Sequence, residues 1–233
     1  MLKLLWNTLV VLISISFVSA CVSHQERKNL KVLSNNLPDS YMGTSSGKLY
    51  PKGYLPKKSV PSSAFEKLQS IANTGDSVAE SKLSQMYLTG IGVKRDIAEG
   101  VRLSISAAQK GSASAQHNLA WLYENGTGVD QSWEKAIEWY ELAAEQKYAA
   151  SINNLGRIYD NGYGVDVDYT KAFHYYKQAA DLMYIVSQYN VAIYYKLGLH
   201  GEQDLEQART YYVAACLQRL SEACDALERL DSE

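Results

Sequence analysis

Apolar and polar positions fall into three regimes along the chain. Behind a single Lys3, apolar residues run almost unbroken from Leu4 to Val18. Between residues 22 and 61 neither a helical nor an alternating period survives, and all four prolines (Pro38, Pro51, Pro56 and Pro61) fall there. From residue 62 onward the apolar positions follow helical turns, and the whole pattern returns at a constant offset of 36 residues.

The offset is visible as columns. Leu83, Leu119, Leu155 and Val191 form one, and Tyr87, Tyr123, Tyr159 and Tyr195 the next. Gly90, Gly126, Gly162 and Gly198 follow, then Gly92, Gly128 and Gly164, then Val93, Val129 and Val165. Ala136, Ala172 and Ala208 align with Gly100; Leu103 aligns with Trp139, Tyr175 and Tyr211. Ala107, Ala143, Ala179 and Ala215 close each copy. Ala115, Leu119 and Tyr123 share one face of a first helix, which Gly126 ends because a left-handed residue is cheapest without a Cβ. Asp96, Ser132, Asp168 and Asp204 stand where a second helix needs an N-cap, with Glu99 and Gln207 placed to complete capping boxes. The second helix offers Ala136, Trp139 or Tyr140, and Ala143 to its neighbours. The spacing predicts copies at 76–111, 112–147, 148–183 and 184–219, a half-copy at 62–75 and a capping helix at 220–233. No copy can bury its apolar face alone, so the copies must stack.

The run Ala115-Gln-His-Asn-Leu119-Ala-Trp-Leu-Tyr123-Glu-Asn-Gly126-Thr-Gly128-Val129, with Trp139, Tyr140, Ala143 and Ala144 after it, closely resembles the Sel-one-like repeat, a relative of the tetratricopeptide repeat. The resemblance covers about 170 residues and implies an all-α, right-handed superhelical solenoid acting as scaffold or adaptor. The fourth copy departs from it, with Leu199, His200 and Gly201 where the turn should read x-Gly-Val. In such solenoids the first helices line the concave face. That placement points to Lys82, Asn118, Asn154 and Asn190, just before the Leu column, and to Gln85, Trp121, Arg157 and Ile193 three residues later, with His117 and Asn153 beside them. The Asn ladder has two readings: bonds between adjacent repeats, or amides offered to an extended partner backbone. Trp121 and Arg157 are residue types enriched at binding hot spots, and as contacts their removal should weaken capture without unfolding.

The N-terminus carries a second resemblance. Val18-Ser19-Ala20-Cys21 resembles the lipobox of bacterial lipoproteins, which implies a signal peptide over 1–20 and lipidation of Cys21. An ordinary cleavable signal with a chance cysteine is the competing reading. Val22 and Ser23 stand where an inner-membrane retention signal would place Asp, so resemblance to enterobacterial sorting favours the outer membrane, facing the periplasm. The composition of 21–61 predicts a flexible basic tether, with seven Lys and Arg against two Asp and Glu. Residues 62–233 carry 15 against 23, an acidic domain suited to a basic partner.

Cys216 and Cys224 remain. Their spacing resembles that of the cysteine-rich subgroup of the same repeat family, which implies a disulfide stapling successive helices, as an oxidising compartment would allow. Chemistry is otherwise poorly supported. His24, His117, His174 and His200 share no spacing, and the serines lack a strand-to-helix elbow. Asp166 and Asp168 read as a helix entrance. No cofactor, metal or nucleic acid is expected, and no enzymatic activity. The expected function is a membrane-tethered periplasmic scaffold gripping a protein or peptide, with one specific form suggested by family analogy: an immunity protein against a type VI secretion lipase or phospholipase. The alternatives are an envelope or host-interaction adaptor, and a penicillin-binding or β-lactamase-like enzyme.

Overall fold

The computed structural model describes residues 62–232; the expected signal peptide, Cys21 and tether lie outside them. Ten helices and no strand occur among the described residues. They are α1 (Ser62–Ala72), α2 (Ser77–Thr89), α3 (Ile97–Gln109), α4 (Ala113–Asn125), α5 (Trp133–Glu145), α6 (Ala149–Asn161), α7 (Tyr169–Asp181), α8 (Ile185–Leu197), α9 (Leu205–Leu217) and α10 (Ser221–Ser232). Each packs mainly on its neighbours in sequence, and the first helices α2 and α4 also touch. The result is a right-handed α/α solenoid of helical hairpins, none of them long and apolar enough to cross a membrane.

The helix ends follow from local chemistry. Asp96, Ser132, Asp168 and Asp204 each accept a bond from the amide three residues on, as expected of N-caps. The capping boxes expected from Glu99 and Gln207 do not close. The N-cap amides of Asp96 and Asp204 instead donate to the carbonyls of Tyr87 and Tyr195, at 3.0 and 2.9 Å. Glu99, released from that role, pairs bidentately with Arg102. Ser132 and Asp168 make the same backbone bond to Tyr123 and Tyr159, so each second helix is hung from the Tyr column of its own first helix.

Gly90, Gly126, Gly162 and Gly198 end the first helices with φ between 62 and 73°. Val129 dips back into the apolar cluster of Val101, Leu119 and Leu122. In the divergent fourth turn, His200 occupies the column of Gly92, Gly128 and Gly164. Its ring stacks on Phe173 with centroids 3.7 Å apart, and Leu199 joins the same core.

The closing alanines Ala107, Ala143, Ala179 and Ala215 are fully buried. Of the adjacent aromatics Trp139 and Tyr140, the core takes Tyr140, with Tyr176 and Tyr212 in its column. Facing them, one column of the first helices stays small: Ala120, Gly156 and Ala192. At Gly156 the fit is tight, since a Cβ there would meet the Tyr176 ring at 2.7 Å. The first copy solves the same contact with two serines, Ser84 and Ser104, whose hydroxyls are 2.5 Å apart. Cys216 of α9 and Cys224 of α10 form a disulfide, S–S 2.00 Å, joining the last full hairpin to the terminal helix.

Candidate functional site

The candidate surface is a row of first-helix positions, the residue before the Leu column and the one three residues after it. Lys82 is exposed, and Gln85, Asn118, Trp121, Asn154 and Arg157 are partly exposed. Asn190 and Ile193 are buried, so the row is most open over the first two copies and closes toward the fourth. Trp121 rests against the core of Leu119 and Leu122 while keeping part of its indole at the surface. This is the arrangement of an aromatic anchor on a rigid helix.

The other residues on this face are engaged within the fold. The Arg157 guanidinium lies 2.6 Å from Oε1 of Glu124, one copy earlier, and 5.5 Å from the centre of the Tyr163 ring. Oε2 of Glu124 accepts a bond from the Tyr140 hydroxyl at 2.9 Å. Burial, with the Glu124 carboxylate next to it, drives the Tyr140 phenol well above its ordinary range and keeps it protonated as a donor. The next copy repeats the device: Asp160, in the column of Glu124, accepts from Tyr194 at 2.6 Å, and burial with the Asp160 carboxylate pushes that phenol upward too.

His117 and Asn153 belong to a bridge between copies. Nδ1 of His117 lies 2.9 Å from the Ser151 hydroxyl, between the rings of Tyr140 and Tyr148. Burial lowers its imidazole to about 4, so it is neutral at physiological pH. Oδ1 of Asn153 accepts from Ser187 at 2.8 Å, and Ser81 with Ser114, 3.0 Å apart, opens the series. A ladder bonding adjacent copies thus exists, but one residue before the Asn118–Asn154–Asn190 column.

Two networks were not anticipated from the sequence. One is the Tyr140–Glu124–Arg157 cluster. The other pairs the end of each second helix with the start of the first helix that precedes it: Lys110 with Glu80 at 2.8 Å, Gln146 with Gln116 at 2.8 Å, Gln218 with Gln188 at 2.7 Å. In the third copy the same two positions hold Leu182 and Ile152. The signal was present in the columns: the pair changes from ionic to amide to apolar as a unit.

Among the described residues no group of His, Cys, Asp and Glu is disposed to hold a metal ion. One histidine atom, Nδ1 of His200, is buried without a hydrogen-bond partner, against Phe173 and Tyr195.

Comparison with known proteins agrees with this architecture. A family model of the Sel1 repeat matches residues 77–112, 113–148, 149–182 and 185–219. A Sel1 repeat protein from Oxalobacter formigenes is 30% identical, with a TM-score of 0.72 over 75% of this chain and 71% of its own. A protective antigen present in uropathogenic Escherichia coli strains is 33% identical (TM-score 0.66), over 70% of this chain and 35% of its own. An immunity protein from Pseudomonas aeruginosa, 21% identical, has the same fold, with a TM-score of 0.53 over 72% of this chain and 62% of its own. No curated protein matches the sequence. Four matched repeats, and helical hairpins that superpose on solved relatives, make this chain a member of the Sel1 repeat family.

Proposed function

We propose that this chain is a membrane-tethered binding module of the cell envelope that grips a protein or peptide partner along the exposed row of its first helices. The observation that carries the reading is the row Lys82, Gln85, Asn118 and Trp121. It sets an aromatic anchor among adaptable polar side chains on helices held rigid by stacked neighbours. Sel1 repeat proteins are typically non-enzymatic scaffolds, in keeping with this use of the surface. Anchoring through a lipidated Cys21 at the outer membrane is supported by the Val18-Ser19-Ala20-Cys21 motif, and an oxidising location by the Cys216–Cys224 disulfide.

We infer a specific form of this role: an immunity protein that captures a toxic lipase or phospholipase delivered into the periplasm by a type VI secretion system. The support is the envelope address and the excess of acidic residues over 62–233, which would speed encounter with a basic toxin. Deleting the protein should expose cells to killing by their siblings, and restoring it should protect them. Unchanged survival would remove the immunity role and leave the binding module. Replacing Gln85, Asn118 and Trp121 together with alanine should abolish protection or capture at unchanged helicity; full protection by the triple variant would overturn the groove itself. Robust nitrocefin hydrolysis by the purified protein would revive the enzymatic alternative.

A further inference from the structure

The ends of α5, α7 and α9 recur at the 36-residue offset, so the bends that follow them, 146–148, 182–184 and 218–220, stack along one edge of the array. Side chains tie the last two together: the buried Gln188 donates from Nε2 to Sδ of Met183 at 3.8 Å and accepts from Nε2 of Gln218 at 2.7 Å. Each bend carries one side chain in the left-handed region, Lys147, Met183 and Arg219, in the column that holds Gly75 and Gly111 earlier in the chain. Glycine would sit there unstrained, so strain kept at three successive bends points to a use for the side chains that project from them. All three are exposed, Met183 to 64%. Large apolar side chains stand beside them, with Leu182 40% and Leu217 79% exposed. The carboxylates that end α5 and α7 are Glu145 and Asp181, and Asp181 is paired with Lys177.

We propose that this edge is a bilayer-contact surface, on which Leu182, Met183 and Leu217 enter the interfacial zone of a membrane while Lys147 and Arg219 meet anionic headgroups. Three arguments favour a lipid surface over a protein. The apolar side chains project from the tips of separate bends, a form that a fluid bilayer accommodates without a matching shape, whereas a protein would need a complementary pocket for each. Long cationic side chains beside leucine suit the membrane interface, where their charged ends reach the headgroups above apolar neighbours; at protein interfaces lysine is depleted. The array as a whole carries more Asp and Glu than Lys and Arg, so an anionic bilayer repels most of its surface, and approach is favoured where cations lead. No described helix is long and apolar enough to cross a membrane, so the contact is peripheral. It is separate from the acylated cysteine proposed above, which the test removes.

Cosedimentation with vesicles of phosphatidylethanolamine and phosphatidylglycerol in equal parts tests the assignment. The full mature chain with Cys21→Ser, which carries no acyl group, should sediment with the vesicles. Met183→Glu with Leu217→Glu should lower its partition at least about tenfold at unchanged helicity. Lys147→Glu with Arg219→Glu should also weaken it, and more so at low salt than at high salt. Ala98→Glu with Thr170→Glu adds as much negative charge in the exposed column that already holds Glu134 and Glu206, and should sediment like the parent. A parent that stays in the supernatant would overturn the proposal. So would equal losses in the edge and control variants, which would assign the effect to overall charge. Self-association of the parent without lipid, abolished by Met183→Glu with Leu217→Glu, would overturn it as well and assign the edge to a second copy.

Discussion

Arg157 in α6 and Glu124 in α4 form an ion pair across two copies, 2.6 Å long, with both side chains mostly out of solvent. A charge pair so placed is costly to break from one side, because the remaining partner keeps its desolvation penalty without compensation. Arg157→Ala should therefore destabilise the fold by about 3 kcal/mol in urea denaturation, and is a poor probe of binding. The volume-matched double variant Glu124→Gln with Arg157→Met should recover most of that loss. If the single variant unfolds at the same urea concentration as the parent, the pair contributes nothing to stability.

The bends between copies contain a local conflict. Lys147, Met183 and Arg219 adopt φ of 60, 62 and 70°, where the first two bends have Gly75 and Gly111. A side chain in the left-handed region costs roughly 1–2 kcal/mol, part of which glycine returns through its freer unfolded state. Lys147→Gly and Met183→Gly should each raise stability by about 0.5–1 kcal/mol. A lower melting temperature in either variant would show that the lost side chain contributed more than the strain it imposed.

Helix ends and repeat length were legible because each is decided within a few residues: Asp168 caps its own helix and Gly162 ends its own. Partnerships reaching about 30 residues away were not. Periodicity places Glu124 and Arg157 on their helices but does not bring them together. It cannot choose between Trp139 and Tyr140, because that choice is made by the small Ala120 and Gly156 column on another helix. The candidate row was only half legible for the same reason. Lys82, Gln85, Asn118 and Trp121 keep exposed surface, whereas His117, Asn153 and Arg157 are claimed by neighbouring copies.

His117 makes stability depend on pH. Its folded value is about 4 against an ordinary 6.5. In that interval the unfolded chain binds a proton that the folded chain does not, so stability falls as pH drops from about 6.5 and the loss is complete near 4. The full contribution is about 3 kcal/mol. Carboxylates titrate over part of the same range, so the informative quantity is a difference between proteins. Stability measured at pH 7 and pH 4.5 should decline less in His117→Gln than in the parent, and parallel declines would assign the acid sensitivity to other groups.

The disulfide separates local from global stability. Cys216 and Cys224 close a short loop between α9 and α10, and α10 buries only Ala223, Ala226 and Leu230 against the array. In the chain-entropy account a loop of this size contributes about 2.5 kcal/mol. Helices in a stacked array depend on their nearest neighbours, so that loss should appear mainly at the end of the array. Reduction, or Cys216→Ser with Cys224→Ser, should thus speed hydrogen exchange across 221–232 by tenfold or more while α3 to α6 keep their protection. Acceleration spread evenly over all ten helices would instead mean that the described array unfolds as one cooperative unit, with α10 as much a part of it as the central copies.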